Sequence, residues 1–214
     1  MPSNESISGL YAIVDSGVTP SADLAALAED YLKGGAAVIQ LRDKRRADSA
    51  ERSRMFRETA GRIQSLKSRY DFLWIVNDDL QTALEIGADG VHVGKDDPPV
   101  GECRKILGPG KIVGYSSHAF EEAVEAERLG ADYVAFGAIF PTPTKGPGHP
   151  VQGVERLREV VACLKVPVVA IGGINRDNVK DVLATGVHSV AMISALANAK
   201  DRTVEARWFS RLFQ

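Results

Sequence analysis

A chain of 214 residues, 44% hydrophobic and 25% charged, can bury a large core and lacks the bias of a disordered segment. Its formal net charge of -2 gives no general pull toward nucleic acid or an anionic membrane, so any anion must be met by a local pocket. Cys103 and Cys163 have no metal-ligand spacing and make no disulfide framework, and neither a leader peptide nor a membrane-length apolar run is visible, which together predict a cytoplasmic protein.

Short apolar, β-branched runs recur at Leu10–Val14, Val38–Leu41, Phe72–Val76, Gly90–Val93, Ile112–Tyr115, Tyr133–Phe136, Val168–Ile171 and Ser189–Ile193. Helical patterns separate them. The first follows Ser21 and Asp23, carries Leu24, Leu27, Ala28 and Tyr31 on one ladder, and stops at Gly34-Gly35. The longest covers about Ser49 to Lys67, with Met55, Phe56, Ile63 and Leu66 apolar and the charges read as a solvated face. Most strands are continuously apolar, as strands covered on both faces must be, which points to a parallel sheet.

A repeated turn leads from helix to strand at Gly34-Gly35-Ala36, Gly87-Ala88-Asp89, Gly130-Ala131-Asp132 and Gly186-Val187-His188. Each glycine fits the position just past a helix end, where φ > 0 is required. The repeat predicts strands two, four, six and eight of a single α/β domain over residues 1–214, a (β/α)8 TIM barrel, with residues 1–8 as a flexible N-terminus. An open doubly wound sheet is the alternative, expected to show less even spacing.

Barrel enzymes build their sites from the loops at the C-terminal ends of strands, and unusual polar residues collect there. Arg42 and Lys44 stand two residues apart after strand two, so an extended backbone aims both at one anionic group; an ion pair with Asp43 or Asp48 is the bland reading. Asp78 and Asp97 follow strands three and four and suit a hard cation such as Mg²⁺, although Asp79 also reads as a helix N-cap and Asp97 as a cap before Pro98. The Pro- and Gly-rich segment from Phe140 to Gly153 holds Thr142, Thr144, Lys145 and His149 and reads as a lid or, more blandly, a surface insertion. Gly172-Gly173 and Ser194 stand where many barrels hold a substrate phosphate through backbone N–H groups. His92 reads as a hydrogen-bonded interior residue and His188 as structural; His118 is placed either to shuttle a proton or to sit satisfied in its loop.

Read in order, Gln40-Leu41-Arg42-Asp43-Lys44, Asn77-Asp78-Asp79, Gly90-Val91-His92-Val93-Gly94-Lys95-Asp96-Asp97, Pro141-Thr142-Pro143-Thr144-Lys145 and Ile171-Gly172-Gly173-Ile174 resemble the motif set of the thiamine-phosphate synthase family across nearly the whole chain. The resemblance implies a transferase of thiamine biosynthesis that joins a hydroxymethylpyrimidine diphosphate to a thiazole phosphate and releases pyrophosphate through a pyrimidine carbocation. It implies that Gln40, Arg42, Lys44, Asn77, Ser116 and Lys145 bind the pyrimidine diphosphate, that Thr142, Thr144, Gly173, Ile193 and Ser194 bind the thiazole phosphate, and that Asp78 and Asp97 hold Mg²⁺. Catalysis falls to Arg42, Lys44, Ser116 and Lys145. Lys95-Asp96 stands where a Gln-Glu pair is frequent, and Gly146-Pro147-Gly148-His149 is an individual lid, but no implied ligand is missing.

Two rivals share the barrel. A thiazole tautomerase would use Ser116-Ser117-His118 for proton transfer and would not need the carboxylate pair, and a non-catalytic sensor would bind without turnover. The partners expected are small molecules, with neither nucleic acid nor membrane. The apolar residues Trp208, Phe209, Leu212 and Phe213 are expected to pack on the barrel or, in a homo-oligomer, on a partner.

Overall fold

The computed structural model describes residues 7–20, 22–45, 48–142 and 150–214. Strands β1 (Gly9–Asp15), β2 (Val38–Arg42), β3 (Leu73–Asn77), β4 (Gly90–Val93), β5 (Ile112–Ser117), β6 (Tyr133–Phe136), β7 (Val168–Ile171) and β8 (Ser189–Met192) follow one another around a closed barrel. Every neighbouring pair is parallel, and β8 closes on β1 with Tyr11 opposite Ala191. The expected α/β barrel is therefore the observed fold.

Helices α1 (Leu24–Lys33), α2 (Ala50–Ser65), α3 (Leu80–Glu85), α4 (Val100–Leu107), α5 (Phe120–Arg128), α6 (Gly153–Cys163) and α7 (Val179–Leu183) connect the strands, and α8 (Ser194–Ala197) and α9 (Arg202–Ser210) follow β8. Asp23 caps α1 by accepting from the amides of Ala25 and Ala26, and Ser49 caps α2 from Arg52 N. The long helix ends at Ser65 and tightens into a 3-10 turn at Leu66–Ser68. Phe56, Ile63 and Leu66 are buried as the pattern predicts, but Met55 is 55% exposed, one residue off the buried stripe. The glycines of the repeated turn, Gly35, Gly87, Gly130 and Gly186, all have φ between 70 and 88° or, for Gly130, 92°.

Strand pleating divides the core in two. Leu10, Ala12 and Val14 of β1 point outward and pack under the helices, while Tyr11 and Ile13 point into the barrel with Val38, Ile75, Ile112, Tyr133, Ala135, Val169 and Ala191. Ile7 belongs to this interior cluster, so the chain is anchored two residues before β1. Helix α9 lies on α1, with Phe209 fully buried and Trp208 edge-on to it under the Arg176 guanidinium; Trp208, Leu212 and Phe213 pack against the same core. The C-terminal aromatic residues thus cover the barrel. No helix among the described residues is long and apolar enough to cross a membrane.

Candidate active site

At the C-terminal end of the barrel lies a cavity of about 400 Å³, lined among others by Gln40, Arg42, Lys44, Asn77, Asp78, Asp97, Ser116, His118 and Ile193. The strands bring these side chains to one mouth. Gln40 and Arg42 share a face of β2 because they are two residues apart on an extended backbone, and Lys44 follows on the same side of the opening.

Arg42 donates to Asp15, its neighbour across the β1–β2 ladder, rather than to Asp43 or Asp48. Those two acids pair instead with Arg52 and Arg45. With Asp15 only 2% exposed at the side chain, the guanidinium is held at the rim by a buried anchor and keeps further donors for a ligand.

Lys44 Nζ donates to Asp78 Oδ2 at 2.6 Å. Asp78 sits directly after β3 in the left-handed region, φ 59°, a conformation that costs a non-glycine residue energy and that clusters at functional sites. Its amide is tied to His92 O at 2.9 Å, which fixes the turn, and its carboxyl meets that of Asp97. Asp97 also accepts from Gly94 N at 2.8 Å. Burial, reinforced by the Asp78 carboxylate, raises the Asp97 pKa above the ordinary aspartate value, while the Gly94 amide and Lys44 oppose the rise.

Two crowded carboxylates are a donor set short of positive charge. Among the described residues no cluster of three or more His, Cys, Asp or Glu could hold a metal. A pair of carboxylates fits Mg²⁺, which takes one or two from protein and completes its shell with water and phosphate oxygens. Asp79 has the other role that its position allows: it caps α3 by accepting from Thr82 N at 2.9 Å.

Asn77, 4% exposed, turns its Nδ2 into the buried region with no hydrogen-bond partner among the described residues. A buried donor left without a partner is an unsatisfied group that calls for a specific explanation. Ser116 lies within β5, which runs on to Ser117 rather than ending at Tyr115. His118 Nδ1 stands 2.7 Å from Gly137 O, and because a carbonyl only accepts, Nδ1 carries the proton.

A cleft of about 40 Å³ beside the main cavity is lined by Thr142, Gly173, Ile193 and Ser194. The two spaces share Ile171, Ala191 and Ile193 as a common wall. Gly173, φ 68°, has a further constraint: a Cβ there would stand 2.6 Å from Pro141 O and 2.7 Å from Phe140 Cβ. The glycine thus lets the β6 loop lie against the β7 loop. Thr144 and Lys145 lie outside the described residues.

Tyr11, Ile13 and His92 also line the cavity; motif reading singled out neither Tyr11 nor Ile13 and read His92 as an interior residue only. Tyr11 shares its inward parity with Ile13, so the alternation of β1 already carried the signal. His92 is hydrogen-bonded inside the barrel, Nδ1 to Tyr133 OH at 2.9 Å, in keeping with its interior reading, whereas His188 is exposed and has a structural contact, its Nδ1 accepting from Val168 N.

The family profile described as thiamine monophosphate synthase matches residues 10–196. A thiamine-phosphate synthase of Shouchella clausii is 42% identical over 192 residues, 90% of each chain. One from Thioalkalivibrio sulfidiphilus is 42% identical over 212 residues, covering 98% of this chain and 97% of its own. The solved structure of a thiamine phosphate pyrophosphorylase from Pyrococcus furiosus aligns with a TM-score of 0.84 and 38% identity over 98% of both chains. A barrel with a charged cavity joined to a small hydroxyl- and glycine-lined cleft, matched over nine-tenths or more of its length by these relatives, belongs to the thiamine-phosphate synthase family.

Proposed function

We propose that this synthase transfers the hydroxymethylpyrimidine group of 4-amino-2-methyl-5-hydroxymethylpyrimidine diphosphate to thiazole phosphate or its carboxylated form, with Mg²⁺, by a dissociative route. The observation that carries the reading is the shared wall of Ile171, Ala191 and Ile193, which places a cavity rich in cations and carboxylates against a cleft of Thr142, Gly173 and Ser194. Two anionic substrates can meet there.

In this reading the diphosphate lies against Arg42, Lys44, Asn77 and Ser116, and the pyrimidine reaches down to Gln40. The methylene C–O bond breaks with its electron pair leaving on pyrophosphate, and the ring amino group donates density to the cation left behind. The thiazole nitrogen then supplies the pair for the new C–N bond, and a carboxylated thiazole also loses CO₂. Arg42 and Lys44 stabilise charge that grows on the leaving group, an interaction stronger in the transition state than before it. Asp78 and Asp97 would hold Mg²⁺, which supplies neutralisation of the diphosphate oxygens when bound. Thr142, Gly173, Ile193 and Ser194 position the thiazole phosphate. Thr144 and Lys145 join the site on the family resemblance alone.

The test is to incubate the protein with both substrates, with Mg²⁺ or EDTA, and to quantify thiamine phosphate and pyrophosphate together. Equimolar, metal-dependent products support the reading. Absence of product where the Shouchella clausii relative works contradicts it and returns attention to isomerisation at His118 or to binding without turnover.

A further inference from the structure

We propose that a buried hydrogen-bond wire, Gln40–Tyr11–Tyr133–His92, sets which way the Gln40 amide faces the cavity and so makes the enzyme select an aminopyrimidine over its 4-oxo analogue. The inference rests on the reading that Gln40 meets the pyrimidine ring.

Gln40 Nε2 donates to Tyr11 OH at 2.8 Å, the Tyr11 and Tyr133 hydroxyls are 2.7 Å apart, and Tyr133 OH is 2.9 Å from His92 Nδ1. All four residues are at most 8% exposed. Gly114 makes the space: it is the ladder neighbour of both His92 and Tyr133, and a Cβ on it would stand 2.1 Å from Tyr133 Cζ. Without that side chain the His92 and Tyr133 rings stack at 5.5 Å across the glycine.

The wire has a direction. Amide nitrogen only donates, so the Tyr11 oxygen accepts from Gln40; the Tyr11 proton then goes to Tyr133, and the Tyr133 proton to His92 Nδ1. Each hydroxyl gives once and receives once. The reverse order leaves the Tyr11 proton without an acceptor inside the wire. Burial raises both phenol pKa values far above the usual one, so both groups keep their protons. His92 consequently carries its own proton on Nε2.

With one N–H committed to Tyr11, the Gln40 amide is left with Oε1 and its second N–H on one edge. That edge complements an amino donor beside a ring-nitrogen acceptor. Turning the amide over would set Oε1 against Tyr11, require every link to reverse and His92 Nδ1 to be protonated, and present the amide NH₂ to the ligand. An amino group would then meet donors, whereas a carbonyl oxygen would be accommodated. Tyr133 and His92 are positioning residues in this scheme, acting through Tyr11.

The test compares kcat/KM for the 4-amino and 4-oxo pyrimidine diphosphates in wild type, Tyr133→Phe and His92→Phe, with thermal melts beside them. Wild type should prefer the amino compound by at least about a hundredfold, through loss of a hydrogen bond in the site and of electron donation to the cation together, so it is the change in this ratio in the variants that reads the wire. Each variant should reduce that preference at least about tenfold, the order expected when one buried link is broken. A folded variant with unchanged preference overturns the proposal, because a merely structural role would lower melting temperature and leave the ratio alone. Independently of variants that misfold, ¹⁵N NMR of wild-type His92 should show Nε2 protonated and Nδ1 bare; a protonated Nδ1 overturns the wire. Failure of wild type to use the aminopyrimidine diphosphate at all would count against the substrate reading, and the NMR result would still decide the wire.

Discussion

Lys44 holds the buried Asp78 side chain at 2.6 Å while Asp78 in turn meets the half-buried carboxyl of Asp97, so a single ammonium serves two crowded acids. The same Lys44 lines the cavity assigned to the diphosphate. A divalent cation arriving with the substrate would take over the carboxylates and release the ammonium toward phosphate oxygens.

This exchange predicts opposite effects from one substitution. Lys44→Met removes a competitor for the carboxylates and a partner for the diphosphate. Mg²⁺ should bind the substrate-free variant several-fold more tightly, while KM for the pyrimidine diphosphate rises about tenfold, the cost expected for losing one charge-assisted hydrogen bond. Calorimetry and steady-state kinetics read the two effects separately, and weakening of both would refute the exchange.

Metal affinity should fall on acidification earlier than an ordinary carboxylate site would. The folded Asp97 pKa is raised, so protonation of Asp97 is favoured as pH falls through that raised value, and the proton competes with the cation. For the metal-free fold the sign is the reverse: protonating Asp97 relieves its burial and its repulsion with Asp78, so this group contributes stability on the acid side and loses it as pH rises through its folded pKa. Metal isotherms across pH, with Asp97→Asn for comparison, check the first statement; melting curves check the second.

If Asn77 binds the diphosphate, as proposed, its substitution should separate stability from binding. Its buried Nδ2 has no partner among the described residues, a deficit worth about 1–3 kcal/mol. Asn77→Leu, similar in volume, should melt at or above the wild-type temperature and lose at least about tenfold in kcat/KM. A destabilised variant with normal kinetics would place the residue in the architecture instead.

Gly173→Ala introduces a Cβ at φ 68° within 2.8 Å of Phe140 C, so the β6 loop must shift. The expected cost is about 1–3 kcal/mol in stability, as for other forced packing. KM for the thiazole phosphate should rise more than KM for the pyrimidine diphosphate, since Gly173 lines the cleft with Thr142 and Ser194 and does not line the cavity assigned to the diphosphate. Equal changes in both would detach Gly173 from that subsite.

The barrel was legible because most strands, covered on both faces, show as continuous apolar runs, and because Gly35, Gly87, Gly130 and Gly186 mark helix ends that need positive φ. Gln40, Arg42, Asn77, Asp78 and Asp97 were legible because strand ends of a barrel converge by topology alone. Pairwise partners were not. Nothing in the order of residues joins Arg42 to Asp15 across 27 positions, or seats Tyr133 over Gly114, since both depend on ladder register. Gly173 was read as room for a ligand, and its packing against Phe140 and Pro141 emerged only from the fold.

The most direct test of the account is Mg²⁺ binding measured with and without pyrophosphate in wild type, Asp78→Ala and Asp97→Ala, alongside thiamine phosphate formation by each. Binding that is strong only with pyrophosphate present, and lost together with turnover in both variants, is the predicted result. Turnover that survives EDTA, or variants that bind Mg²⁺ and form product as the wild type does, would contradict it.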